Sequence, residues 1–95
     1  MNDFLYARAS DLLAADVGDE MVALDADAGH CYGFNSVAAS VWRQLDQPRS
    51  FSAIKQSLME EYDVTEERCE ADLAELLEDF VDKGIVRRTS ERAAR

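Results

Sequence analysis

The sequence predicts an α+β domain, winged helix-turn-helix-like, in which a three-stranded antiparallel sheet comes first and three helices follow. Three observations carry that expectation. From Glu20 to Phe34, Met21, Ala23 and Asp25 alternate with Val22, Leu24 and Ala26, Asp27-Ala28-Gly29 supplies a turn, and His30 to Phe34 follows as a second extended run, which reads as a hairpin. From Val37 to Phe80 the apolar residues recur at spacings of three and four, which is helical periodicity. Between Glu60 and Asp82 stand eleven acidic residues, so the later helices expose a strongly charged face.

Each element has its own justification. Leu12, Leu13 and Val17 form a short first strand, with Gly18-Asp19 as the turn. In the next strand, from Glu20, Val22 and Leu24 are expected to face the core. The third strand, His30 to Phe34, puts Tyr32 and Phe34 on one face and Cys31 and Gly33 on the other. Asn35 caps the first helix, whose inner face is Val37, Ala38, Val41, Trp42 and Leu45. Gln47-Pro48 ends it, because a residue before proline is driven out of the helical region. Ser50 caps a second helix with Phe51, Ile54, Leu58 and Tyr62 in helical register. After the break at Asp63-Val64, Thr65 starts the third helix, with Glu66 and Glu67 where the helix dipole favours anions. Cys69, Leu73, Leu76, Leu77 and Phe80 form its apolar stripe, and Gly84 suits the left-handed residue beyond it. Ile85 and Val86 fold back as a plug. The domain is expected to span residues 1–86, with 87–95 a polar C-terminal tail.

Composition narrows the function. Ninety-five residues suffice for one domain with one core. No apolar run reaches the length of a membrane span, and Met1, Asn2 and Asp3 do not begin a secretory signal; the expected location is the cytoplasm. Cys31 and Cys69 lie far apart, outside any metal-ligand spacing, and are expected as reduced thiols. Residues 1–86 hold six basic side chains against nineteen acidic ones. Proteins bind DNA largely by neutralising phosphates with Lys and Arg, so the charge opposes a winged-helix nucleic-acid-binding regulator, the reading that the fold alone would suggest. Catalysis has no visible machinery: no Ser-His-Asp set, no glycine-rich phosphate loop, no metal cluster, and His30 as the only histidine. No catalytic residue, metal or cofactor is expected.

Leu24-Asp25, Gly29, Tyr32, Phe34-Asn35, Ala39 and Trp42, followed by Tyr62-Asp63-Val64, Asp72-Leu73, Leu76-Leu77 and Gly84-Ile85-Val86, cover residues 17–86 in an order and spacing that resembles the PqqD-like family. These domains are recognition elements for ribosomally made, post-translationally modified peptides. The resemblance implies a non-catalytic protein that binds the leader region of a precursor peptide as a further antiparallel strand beside the third strand, against the third helix. The peptide-binding residues are then His30, Cys31, Tyr32, Gly33 and Phe34 along the strand, and Arg68, Cys69, Asp72, Leu73, Leu76 and Asp79 along the helix. An uncovered sheet edge offers unpaired backbone groups for such an addition. Several of these residues also have plainer readings: Cys69, Leu73 and Leu76 as core, Asp72 as a solvated charge. The chain looks most like the stand-alone recognition protein of a lasso peptide pathway, whose partners are a leader peptidase and a cyclase. The alternative resembles the quinone-cofactor chaperone that delivers a precursor to a radical S-adenosylmethionine enzyme.

Overall fold

Three side-chain oxygens set where the helices begin. In the computed structural model, which describes residues 4–89, Asn35, Ser50 and Thr65 all have extended backbone. Each accepts a hydrogen bond from the N–H three residues on: Ala38 (2.9 Å), Ala53 (3.2 Å) and Arg68 (3.3 Å). That capping starts α1 (Ser36–Gln44), α2 (Phe51–Glu61) and α3 (Glu66–Asp82) at the expected places. α1 stops before Pro48: the Arg49 guanidinium donates to the Gln44 carbonyl (2.5 Å), and the Leu45 N–H turns back to the Trp42 carbonyl (3.1 Å). α3 closes on Gly84, at φ 77°. The N–H of Ile85 reaches the Phe80 carbonyl and that of Gly84 the Val81 carbonyl, the paired closure that a left-handed glycine permits.

The strands in chain order are β1 (Leu5–Arg8), β2 (Leu13–Val17), β3 (Glu20–Asp25), β4 (His30–Phe34), β5 (Arg49–Ser50) and β6 (Val86–Thr89). β2, β3 and β4 form the expected three-stranded antiparallel sheet, in that order. A second small sheet, ordered β5-β1-β6, was not anticipated. It ties the two ends of the domain together: β6 pairs with β1 from Leu5↔Thr89 to Arg8↔Val86. Residues 87–89 are therefore not a frayed tail. Their polar side chains are exposed, but their backbone is held in the ladder, and Arg88 lies over the Phe4 ring (5.0 Å) and pairs with Glu78 (3.2 Å). Residues 90–95 of the expected tail lie outside the described residues.

The faces of β3 are the reverse of the expectation. Met21 and Ala23 are buried, whereas Val22 and Leu24 are exposed. Pairing decides this: Met21 is opposite Phe34 and Ala23 opposite Tyr32, while Val22 and Leu24 face Gly33 and Cys31. Once Phe34 enters the core, its cross-strand partner must follow. α1 packs on β3 and β4 from that side, and small Ala23, Ala38 and Ala39, all buried, allow a close approach.

Around them the core gathers Val41, Trp42 and Leu45 of α1, Ile54 and Leu58 of α2, and Leu73, Leu77 and Phe80 of α3. Val37, expected on the inner face of α1, is instead exposed. Ser40, a buried polar group, donates to Glu61 (2.7 Å). Lys55 pairs with Glu66 (2.9 Å) and Glu70 (3.0 Å), fastening α2 to α3; those two bonds raise its pKa, Glu66 contributing most. Cys69 is buried beneath this pair, its thiol 3.8 Å from the Lys55 carbonyl. Burial pushes the Cys69 thiol pKa up, while Cys31 is exposed. Reactivity follows the accessible thiolate. Ellman's reagent is expected to titrate one thiol, Cys31, in the folded protein and the second only in denaturant; two thiols reacting at equal rates would contradict the burial of Cys69.

Candidate functional site

β4 is an edge strand. It pairs with β3 on one side, and among the described residues no strand occupies the other. A cleft of about 370 Å3 runs beside this edge. Cys31, Tyr32, Gly33 and Phe34 border it on the sheet side, and Leu76, Asp79, Phe80 and Lys83 on the side of α3. Its base is aromatic: the Phe34 ring lies 5.2 Å from Phe80 and 5.8 Å from Trp42, and the Trp42 and Phe80 rings meet edge to face at 6.2 Å. Tyr32 stacks on Phe34 at 6.4 Å, and His30 follows at 6.3 Å from Tyr32. An aromatic row thus lies along the inner side of a backbone edge able to pair with another strand.

The cleft opens into a hollow of about 510 Å3 lined by Asn35, Val37, Asp72, Glu75, Leu76 and Asp79. Beyond it, a third hollow of about 410 Å3 lies between the Asp63–Thr65 turn, Arg68 and Asp72. Shared residues join the three: Asn35, Leu76 and Asp79 link the first two, and Asp72 links the second to the third. Together they make a trough along one flank of α3. The residues on that flank repeat every three or four positions, as neighbours on a helix must.

Of the candidate residues, Cys31, Tyr32, Gly33, Phe34, Leu76 and Asp79 come together in the cleft. Arg68 and Asp72 lie farther along the trough, joined by an ion pair of 3.1 Å. His30 is exposed at the start of β4. Cys69 and Leu73 are elsewhere, buried in the core at 4% and 1% exposure. Gly33 has open space where a Cβ would stand and no left-handed φ, so neither crowding nor backbone conformation requires a glycine there.

As lining residues of the trough, Glu75 and Lys83 went unnoticed in the sequence, Val37 was expected in the core, and Asn35 stood only as a cap and as part of the family pattern. Lys83 could have been found from its spacing of four from Asp79, with which it pairs at 2.6 Å. Val37 carries no such local signal, because its face of α1 is covered or open according to where α3 lies. Among the described residues no group of His, Cys, Asp and Glu is arranged to hold a metal ion, and no helix is long and apolar enough to cross a membrane.

Two solved structures share this fold. TbiB1 in complex with the TbiA(beta) leader peptide superposes with a TM-score of 0.76 at 23% identity, covering 85% of this chain and 94% of that one. A lasso peptide synthetase B1 complexed with the leader peptide gives a TM-score of 0.70 at 29% identity, covering 86% and 96%. A comparison with curated protein sequences gives no match. The family profile described as coenzyme PQQ synthesis protein D (PqqD) matches residues 20–86, from the start of β3 to the start of β6, and so takes in β4, α3 and the cleft between them. The chain belongs to the PqqD family.

Proposed function

We propose that this protein binds the leader region of a ribosomally made precursor peptide as an added antiparallel strand on the free edge of β4, and presents it to separate modifying enzymes without doing chemistry itself. The observation that carries this reading is the unpaired β4 edge lying beside a cleft with an aromatic base. Main-chain bonds to the edge supply affinity, and alternate peptide side chains entering the cleft supply selectivity. Two structural neighbours complexed with leader peptides support it, as does membership of the PqqD family. The enzymes served are those of a lasso peptide pathway, a leader peptidase and a cyclase. A radical S-adenosylmethionine enzyme is the second reading, favoured only by the family's link to coenzyme PQQ synthesis.

Such a protein acts by effective concentration, because tethering the precursor makes its encounter with the enzyme intramolecular. Precursor cleavage by the partner peptidase, followed at subsaturating precursor with and without this protein, tests the reading. A clear rise in rate is expected, with no cleavage by this protein alone; equal rates in both reactions would end it.

The charges along the trough should tune binding rather than create it. Asp72 and Asp79 are 61% and 54% exposed and already paired, with Arg68 and Lys83. Exposed pairs contribute about 0.2–1 kcal/mol. Asp72→Asn and Asp79→Asn are therefore each expected to weaken a basic leader by at most about fivefold at low salt, the difference fading at high salt. Calorimetry at two salt concentrations measures this, and a loss of a hundredfold at Asp72 would show instead a desolvated hydrogen bond to the peptide.

A further inference from the structure

Five large apolar side chains are exposed among the described residues, and four of them, Leu13, Val17, Val22 and Leu24, belong to one sheet. Residues paired across an antiparallel ladder project to the same face, and alternate residues along each strand share it. The register pairs Leu13 with Leu24, Ala15 with Val22, Val22 with Gly33 and Leu24 with Cys31. The outer face of the β2-β3-β4 sheet is therefore apolar from edge to edge. Leu13 is 69% exposed, Val17 60%, Val22 44% and Leu24 41%. The helices do not account for it, since α1 packs on the opposite side, where Met21, Ala23 and Phe34 are buried. A sheet face in water ordinarily carries polar side chains. Scattered exposed hydrophobic residues need no explanation, but a contiguous patch of them marks an interaction surface.

The border of the patch says what kind of partner fits. Asp19 and Glu20 stand at one end of the face, Asp11 and Asp27 near the other, all exposed, and no Lys or Arg occurs in β2, β3 or β4. A second copy stacked on this face would bring acidic turns against acidic turns in either direction, and each chain carries a net charge of −10. Like charges brought together across an interface suppress that pairing, and complementary ones favour it.

We propose that the outer face of the β2-β3-β4 sheet docks a second protein whose contact surface is an apolar patch bordered by Lys and Arg, namely the enzyme that processes the bound leader. The identity of that enzyme rests on the function proposed above; the surface and its chemistry do not. β4 belongs to both surfaces: its backbone edge faces the cleft and its Cys31 side chain faces outward. A protein seated on the face lies about one strand spacing, ~5 Å, from a peptide added to that edge.

The test uses the leader peptidase of the same pathway as the probe. Two double variants divide the contributions: Leu13→Ser with Leu24→Ser for the apolar centre, and Asp19→Lys with Glu20→Lys for the border. The first is expected to weaken peptidase binding by about tenfold or more. The second should weaken it by about threefold or more, with a flatter salt dependence. Both should keep wild-type circular dichroism and wild-type leader affinity by fluorescence anisotropy. Wild-type peptidase affinity in both variants would overturn the proposal. So would sedimentation showing a wild-type dimer that the serine variant dissociates, since the face would then belong to a second copy. Loss of the proposed function reads differently: the wild-type protein would fail to bind leader, while the peptidase titration would still report on this face.

Discussion

Replacing Gly33 by proline is expected to cost leader binding about fivefold to about a hundredfold. Proline has no N–H to donate and its ring occupies the space an approaching strand needs. A peptide group left unpaired in the ladder costs about 1–3 kcal/mol, and each 1.4 kcal/mol is about tenfold in affinity. Gly33→Ala is the matched control. The position has open space for a Cβ and no left-handed φ, so alanine should bind leader within about twofold of wild type. If proline also disturbs the pairing of β4 with β3, circular dichroism will show it. N-methylation of alternate leader amides then asks the same question without touching the protein. Normal binding by a folded Gly33→Pro protein and by every N-methylated leader would place recognition away from the β4 edge.

Trp42→Ala is expected to be the most damaging single change to stability. The side chain is 2% exposed, meets Phe34 and Phe80, and carries the Arg8 guanidinium 4.4 Å over its ring. Removing a buried aromatic side chain costs about 3–5 kcal/mol, a large share of the roughly 5–15 kcal/mol that holds a domain folded. Arg8 would also lose its aromatic partner, though its bond to the Trp42 carbonyl (2.6 Å) survives the substitution. Urea unfolding should show the midpoint falling sharply, whereas Val37→Ala, at an exposed position, should shift it by less than about 1 kcal/mol. Because Phe34 ends β4 and packs on Trp42, the loss should also loosen the strand that borders the cleft. A loss below about 1 kcal/mol at Trp42 would mean that the aromatic base is not what joins α1 to α3.

What could be read from the sequence was local. Asn35, Ser50 and Thr65 cap helices because a short side-chain oxygen reaches an amide three residues away, whatever the rest of the chain does. Gly84 ends α3 because a left-handed φ suits glycine. The hairpin of β3 and β4 followed from its own turn, and the likeness to PqqD-like domains spanned the same elements.

What could not be read depended on partners distant in sequence. β1 and β6 exist because the two ends of the domain meet, a pairing across some eighty residues that neither segment announces alone. Val22 and Leu24 looked like core residues because they are the branched aliphatic side chains of β3. Pairing with β4 and the close approach of α1 put Met21 and Ala23 inside instead and left the outer face apolar. Cys69 and Leu73 share with Asp72 and Leu76 one broad side of α3. The sequence sets their spacing around the helix, but only packing against α2 and the sheet sets the helix's rotation. That rotation buries Cys69 and Leu73 and leaves Asp72 and Leu76 lining the trough. Spacing is a property of the backbone; which side meets the solvent is decided by what the helix packs against.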